Sequence, residues 1–237
     1  MFEETVNSEV GSQISPHQAS EEAFELAISD EEAIESIDNH IRKHIGKVET
    51  VFHDLISDLV HITIQIVAPT PGRDYYTLVT SGMSDRPMST PQQAKGWEYA
   101  ELMICLPPTW KMTWEDFDDD ANYWPIHWLK QLAHLPHGND SWLCVSHTVP
   151  NGDPAKPYAA NTELCCAYLS QPALFDESFH KLVVSEEKTV RFYAFVPLYA
   201  EEADWKLKHG ADSLDAKLSA ISVSELLDIR RPNACIR

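Results

Sequence analysis

Four histidines, His127, His134, His137 and His147, fall within 21 positions, close behind an acidic run from Glu115 to Asp120. Imidazole and carboxylate are zinc ligands, and three of them around an open coordination position make a hydrolytic centre. His134 and His137 stand three apart, a spacing that can present two ligands from one helix face. Pro136 lies between them, and a proline there is expected to end the helix and divide that face. The chain contains no HExxH pattern. The expectation is therefore surface or hydrogen-bonded histidines, with no metal and no cofactor. The alternative is a metal-dependent hydrolase using His127, His134, His137 or His147 with a carboxylate from the loop 116–120.

A second candidate is the stretch "YYTLVTSGMSDRPM", Tyr75 to Met88. A serine beside glycine at the end of a strand can be a nucleophile elbow. Ser84, however, does not sit in GxSxG. Gly82, Asp85 and Pro87 around it are turn chemistry, and neither a base nor an orienting acid is identified. The five cysteines (Cys105, Cys144, Cys165, Cys166, Cys235) show no CxxC spacing. An odd number without that spacing argues against a disulfide framework and against a thiolate zinc site. Cys165 and Cys166 are adjacent in a strand-like run, so their side chains face opposite ways. GxGxxG and GxxxxGK[ST] are absent, which leaves nucleotide binding without support. The expected catalytic set is empty.

The elements that carry these residues follow from periodicity. Ser29 with Glu32 matches a capping box. Ile34, Ile37, Ile41 and Ile45 recur at helical spacing, with Gly46 as the stop. "VETVFHDL" is a candidate strand. "HITIQIV" alternates, with Ile62, Ile64 and Ile66 on one side, and Pro69, Pro71 and Gly72 turn the chain into "YYTLVTSG". Residues 60–82 therefore read as a hairpin. "WEYAELMICL" is apolar on both faces, as in a covered central strand. Trp110 to Tyr123 reads as a loop. "WPIHWLKQLAHLPHG" reads as a helix with Pro125 at its first position. "SWLCVSHTV", "TELCCAYL" and "TVRFYAFVPL" read as strands, and the chain ends in two helical stretches separated by Gly210. Strands and helices alternate only partly. The fold class is α/β (α+β), a central mixed β-sheet flanked by helices. Residues 1–28 read as an acidic tail and residues 29–237 as one domain.

Composition sets the broader bounds. The 237 residues are 43% hydrophobic, enough for a core. No window reaches the apolar length of a membrane span, and the N-terminus lacks a secretory pattern, so the expectation is a cytoplasmic protein with no membrane partner. The net charge is −19. Residues 1–41 hold eleven acids and no lysine or arginine, which leaves −8 for the remainder. Such a surface repels phosphate backbones and excludes nucleic acid as the expected partner. The same field steers a basic protein inward.

Six tryptophans lie between Trp97 and Trp142. Tryptophan is enriched both in cores and at binding hot spots. Residue type and loop position point to Trp110, Trp114, Asp116, Asp118, Asp119, Asp120 and Trp124 as a partner-binding surface.

Taken together, the ordered segments "VFHDLISDLVHITIQIVAPTPGRDYYTLVTSGMSDRPM", "YAELMICLPPTW", "WPIHWLKQLAHLPHGNDSWLCVSHTVPNG" and "FYAFVPLYAEEADWKLKHGADSL" resemble the suppressor-of-fused (SUFU) domain family in its bacterial single-domain form. "DIRRPNAC" continues the match, which spans about residues 47–235. The family strand often reads His-Ile-Asp where this chain has His61-Ile62-Thr63. The resemblance implies a mixed sheet with flanking helices and no known enzymatic activity. In animals the family member is a cytoplasmic regulator of Hedgehog transcription factors. There a peptide adds as a β-strand in the cleft between this domain and a second one. This chain looks like the first domain only, and Ser146 stands where the cleft carries an acidic residue. Bacterial relatives look like immunity proteins that neutralise a cognate toxin by binding it. The expected function is thus a non-catalytic protein-binding module with a protein partner, a basic toxin. A scaffold that binds peptides by strand addition is a further alternative.

Overall fold

The computed structural model describes residues 34–53 and 60–236. The acidic segment 1–28 and the Ser29–Glu32 capping pair lie outside the described residues. Residues 34–44 form helix α1, which buries Ile37 and Ile41 at i,i+4 spacing. The amides of Ile45 and Gly46 both return to the Ile41 carbonyl, and the helix stops there.

Among the described residues eight strands build one sheet: β1 (Thr50–His53), β2 (Thr63–Val67), β3 (Tyr76–Ser81), β4 (Tyr99–Leu106), β5 (Thr148–Pro150), β6 (Cys166–Ser170), β7 (Lys181–Val183) and β8 (Thr189–Leu198). The order is β1-β2-β3-β4-β8-β6-β5, with β7 also on β8. β4 and β8 run parallel and every other pair is antiparallel, so the sheet is mixed. The hairpin expected at residues 60–82 is β2 and β3, in register from Thr63↔Ser81 to Val67↔Thr77.

Helices cover both faces, which explains the nearly continuous apolar runs of β4 and β8. Leu102, Ile104 and Phe195 pack beneath helix α2 (Asp120–Gly138) with its Ile126, Leu129 and Leu132. On the other face, Met103, Phe192 and Ala194 meet Ile37 and Ile41 of α1. Farther along that face, Tyr168, Val196 and Leu198 meet Leu214 and Leu218 of helix α4 (Ala211–Ala220), which follows helix α3 (Ala200–His209). The expected mixed α/β architecture holds.

Local structure differs from expectation in several places. α2 begins at Asp120, five residues before Pro125, and runs through Pro136 to Gly138. Asp119 caps it by accepting the Ala121 amide at 2.9 Å. Pro125 cannot donate to the Ala121 carbonyl, and the Asn161 side-chain amide takes that carbonyl instead at 3.0 Å. Within Trp110–Tyr123, expected as loop, a 3₁₀ turn spans Glu115–Asp118. Of "SWLCVSHTV" only the end, in β5, is strand, and β7 carries no periodic signal in its three residues.

The central parallel pair is short. β4 pairs with β8 as far as Met103↔Ala194. Beyond it, the Cys105 amide bonds the Glu225 carbonyl (2.9 Å) and the Leu227 amide bonds the Cys105 carbonyl (2.8 Å). A late segment of the chain thus takes the edge that β8 leaves.

Candidate functional site

The Gly82–Ser84 turn is organised by a buried carboxylate. The β3–β4 ladder ends at Val79↔Met103, and side chains take over. The Thr80 hydroxyl accepts the Leu102 amide at 2.8 Å and donates to Glu101 Oε2 at 2.6 Å. Glu101 Oε1 accepts the Gly82 amide (3.1 Å), the Ser84 amide (3.0 Å) and the Ser84 hydroxyl (2.7 Å). Glu101 and Ser84 are fully buried. Burial pushes the Glu101 carboxyl above the usual range, and these four donors pull it back. A serine donating to a carboxylate in a closed site is no nucleophile. The signal in the sequence is a lone acid inside "YAELMICL", a strand with no face to solvent.

The histidines scatter. His137 Nε2 bonds the Met83 carbonyl at 2.9 Å, tying α2 to the same turn, and burial lowers its pKa. His147 packs edge-on against Trp142, and His127 is exposed beside Tyr123. Among the described residues no three His, Cys, Asp or Glu side chains gather to hold a metal ion. The four described cysteines with the deepest burial, Cys105, Cys144, Cys165 and Cys166, have raised pKa values, with desolvation the first cause in each. A thiol pushed up this way is a poor nucleophile.

The seven residues expected to form a binding surface divide by depth. Trp124 is 3% exposed and stacks on Tyr158 at 5.0 Å. Trp110 is half-buried and donates its indole N–H to the Asn122 carbonyl at 2.9 Å. Asp119 is occupied as the cap of α2. Asp116 accepts the Thr113 hydroxyl (2.7 Å) and amide (3.1 Å), which hold its carboxyl below the ordinary value. Asp118 and Asp120 are exposed. Trp114 is 71% exposed, with its ring 4.5 Å from Phe52 of β1. Phe117 completes the group at 5.2 Å from Phe52. An aromatic patch beside edge strand β1 thus carries Glu115, Asp116, Asp118 and Asp120 around it.

Sequence reasoning misses a second buried acid. Glu202, in the first turn of α3, takes a bidentate contact from Arg231, with Nη1 at 2.7 Å from Oε1. The same carboxylate accepts the Tyr199 amide (3.0 Å) and the Ala234 amide (2.8 Å). Arg231 Nη2 also reaches the Pro197 carbonyl at 2.9 Å. "DIRRPNAC" is therefore a strap fastened to the end of β8 and the start of α3.

The family model described as suppressor of fused protein (SUFU) matches residues 58–232. The chain belongs to the suppressor of fused family. Glu101, Glu202 and the turn that Glu101 organises lie inside the matched SUFU span. A putative SUFU homologue from Neisseria gonorrhoeae superposes with a TM-score of 0.62 at 16% identity, covering 89% of this chain and 99% of the homologue. The Sufu–Fu complex structure matches with a TM-score of 0.59 at 12% identity, covering 85% and 92%. Drosophila Suppressor of Fused matches at 0.56 and 11% identity, covering 85% of this chain but 50% of that one. At these identities the shared property is the SUFU fold. No curated protein matches the chain. Among the described residues no helix is long and apolar enough to cross a membrane.

Proposed function

We propose that this SUFU domain is a non-catalytic protein-binding module, specifically an immunity-type protein that neutralises a cognate basic toxin by binding it. The observation that carries the reading is Trp114. A tryptophan 71% exposed is costly to leave in water, and Phe52 and Phe117 hold this one in place. Rigid aromatic anchors of this kind are typical hot spots. The acids around it, on a chain of net charge −19, would attract a basic partner and speed its capture. The Glu101 site, closed to solvent and fully hydrogen-bonded, argues for a structural carboxylate and against a catalytic one. The immunity role is what the SUFU resemblance implies of bacterial relatives, and the Sufu–Fu complex supports protein binding in general.

Co-expression with the product of the neighbouring gene tests the claim. Copurification, together with rescue of cells from that product's toxicity, is the expected result. Binding without rescue would leave a binding module and remove the immunity role. A second mode of contact is favoured by one feature, the place of β1 at the sheet edge with β2 as its neighbour. An extended partner segment could add there, beside Trp114.

A further inference from the structure

We propose that Cys165 and Cys166, at the entry to β6, form a binding site for a trivalent arsenical, with one arsenic atom bridging the two sulfurs. The inference is independent of the protein-binding reading. Neighbouring residues of a regular strand turn their side chains to opposite faces. Here Cys165 stands one residue before β6, and the two Sγ atoms lie 3.9 Å apart. Both thiols belong to the apolar layer that β6 and β8 share with α4. Cys165 also forms part of the wall of an open cavity of about 390 Å³ beside the start of α3.

The separation decides what the pair can take. A disulfide needs its sulfurs about 2.05 Å apart and its Cα atoms about 4.4–6.8 Å apart. Cα atoms joined by one trans peptide, as these are, stand about 3.8 Å apart. That backbone is also held on both sides. The Cys165 amide bonds the Leu198 carbonyl at 2.8 Å, and the Cys165 carbonyl accepts the Asn151 amide at 2.8 Å. Closing the sulfurs on each other therefore works against the sheet, whereas sharing one soft atom between them does not. Two bonds of about 2.3 Å, the length of a zinc–thiolate bond, span about 3.4–3.8 Å when they meet at a bent angle and about 4.6 Å when collinear. The observed 3.9 Å lies beside the bent value and is too short for a linear two-coordinate ion.

Charge selects among bent centres. Burial raises the pKa of both thiols, that of Cys166 to about 12, and Glu201, Glu163 and Glu202 raise Cys165 further. A divalent metal ion must displace both protons and bind two thiolates, which these surroundings oppose. Among the described residues no third ligand joins the pair to favour such an ion. A trivalent arsenical oxide avoids that cost. Two arsenic–sulfur bonds form, the arsenic–oxygen bond breaks, and both thiol protons leave with the oxygen as water. Arsenic stays trivalent and the product is neutral. The raised thiol pKa slows the attack without opposing its equilibrium. Arsenic keeps one further substituent, and the cavity beside Cys165 gives it room, with Ala155, Pro157, Tyr199 and Ile236 in the wall.

The test incubates the reduced full chain with phenylarsine oxide under native conditions and follows intact mass and peptide maps. One phenylarsenic group per chain is expected, replacing two thiol hydrogens and carried by the peptide that contains Cys165 and Cys166. It should survive excess mercaptoethanol and be removed by the dithiol dimercaprol, as a two-sulfur chelate requires. Cys165→Ser and Cys166→Ser should each lose the monothiol-resistant adduct, and Cys235→Ser should keep it. If either of the first two variants does not fold, the peptide map of the unaltered chain still decides. A label that enters only in urea, or that abolishes the cooperative thermal transition, would show that the fold holds no such site. An adduct on Cys235 in place of the pair would overturn the proposal as well. So would a cadmium–thiolate absorption band from the pair under the same conditions, which would make it a metal site instead.

Discussion

At the scale of single residues, Glu101, Gly82 and Ser84 put architecture where a serine beside glycine suggests chemistry. Gly82 has φ 112°, and a Cβ there would sit 2.1 Å from the His61 carbonyl oxygen. Gly82→Ala should therefore cost about 3 kcal/mol or more, read as a shift in the urea midpoint. Ser84→Ala removes a 2.7 Å donor from a buried carboxylate and should cost about 2 kcal/mol, with partner capture at folded-protein concentration unchanged. Loss of capture by a fully folded Ser84→Ala would return Ser84 to the functional site. The tryptophans separate in the same way. Trp114→Ala should weaken partner binding by about 2 kcal/mol, roughly thirtyfold in Kd, and alter stability little. Trp124→Ala empties core space and should destabilise by about 3–5 kcal/mol, measured by thermal denaturation. Residue type alone does not sort these two, because tryptophan serves cores and interfaces alike. Depth, set by the fold of Trp110–Asp120 around them, decides it.

At the scale of elements, regular patterns are legible in the sequence and interruptions are not. The alternation of Ile62, Ile64 and Ile66 locates β2, and the doubly apolar run of β4 announces a strand covered on both faces. α2 is longer than its prolines suggest, because neither Pro125 nor Pro136 ends it. The repair at Pro125, Asn161 on the Ala121 carbonyl, comes from 40 positions away and leaves no local trace. The "DIRRPNAC" strap is visible as a motif, but its role depends on the buried partner Glu202. Arg231→Met leaves Glu202 as an unpaired buried charge and should cost about 3–5 kcal/mol. Adding Glu202→Leu to it should recover much of that loss, by the same denaturation measurement. A double variant as unstable as the single one would show that the strap depends on something other than the ion pair.

For the whole molecule, charge and protonation set the conditions of use. His40, His44, His137 and His147 all have lowered pKa values, with desolvation the first cause in each. The folded protein thus binds fewer protons than the unfolded chain around the ordinary histidine value of 6.5. Stability from these groups is complete above that pH and is lost as the pH falls through the lowered values. Glu101, with its pKa raised, acts in the opposite direction and grows more favourable as it protonates. A falling Tm between about pH 7.5 and pH 5 is expected, since four histidines oppose one acid. His137→Gln, which keeps an N–H for the Met83 carbonyl, should flatten part of the fall. A profile unchanged by this variant would remove His137 from the account.

The handover at β4 also imposes an order in time. Cys105 closes its backbone on Glu225 and Leu227, 120 positions or more downstream. During synthesis, β4 leaves the ribosome long before the segment that completes its edge. Until then the centre of the sheet offers an open strand edge to any other chain. Arg231, a few positions later, then locks the segment in place through Glu202. The fold therefore works as a check on chain length, since a nascent or truncated chain lacking residues 224–231 keeps its central strand unsealed. In hydrogen exchange, the Cys105 amide should be protected in the full chain and exchange freely after truncation at residue 223, while β2 and β3 keep their protection.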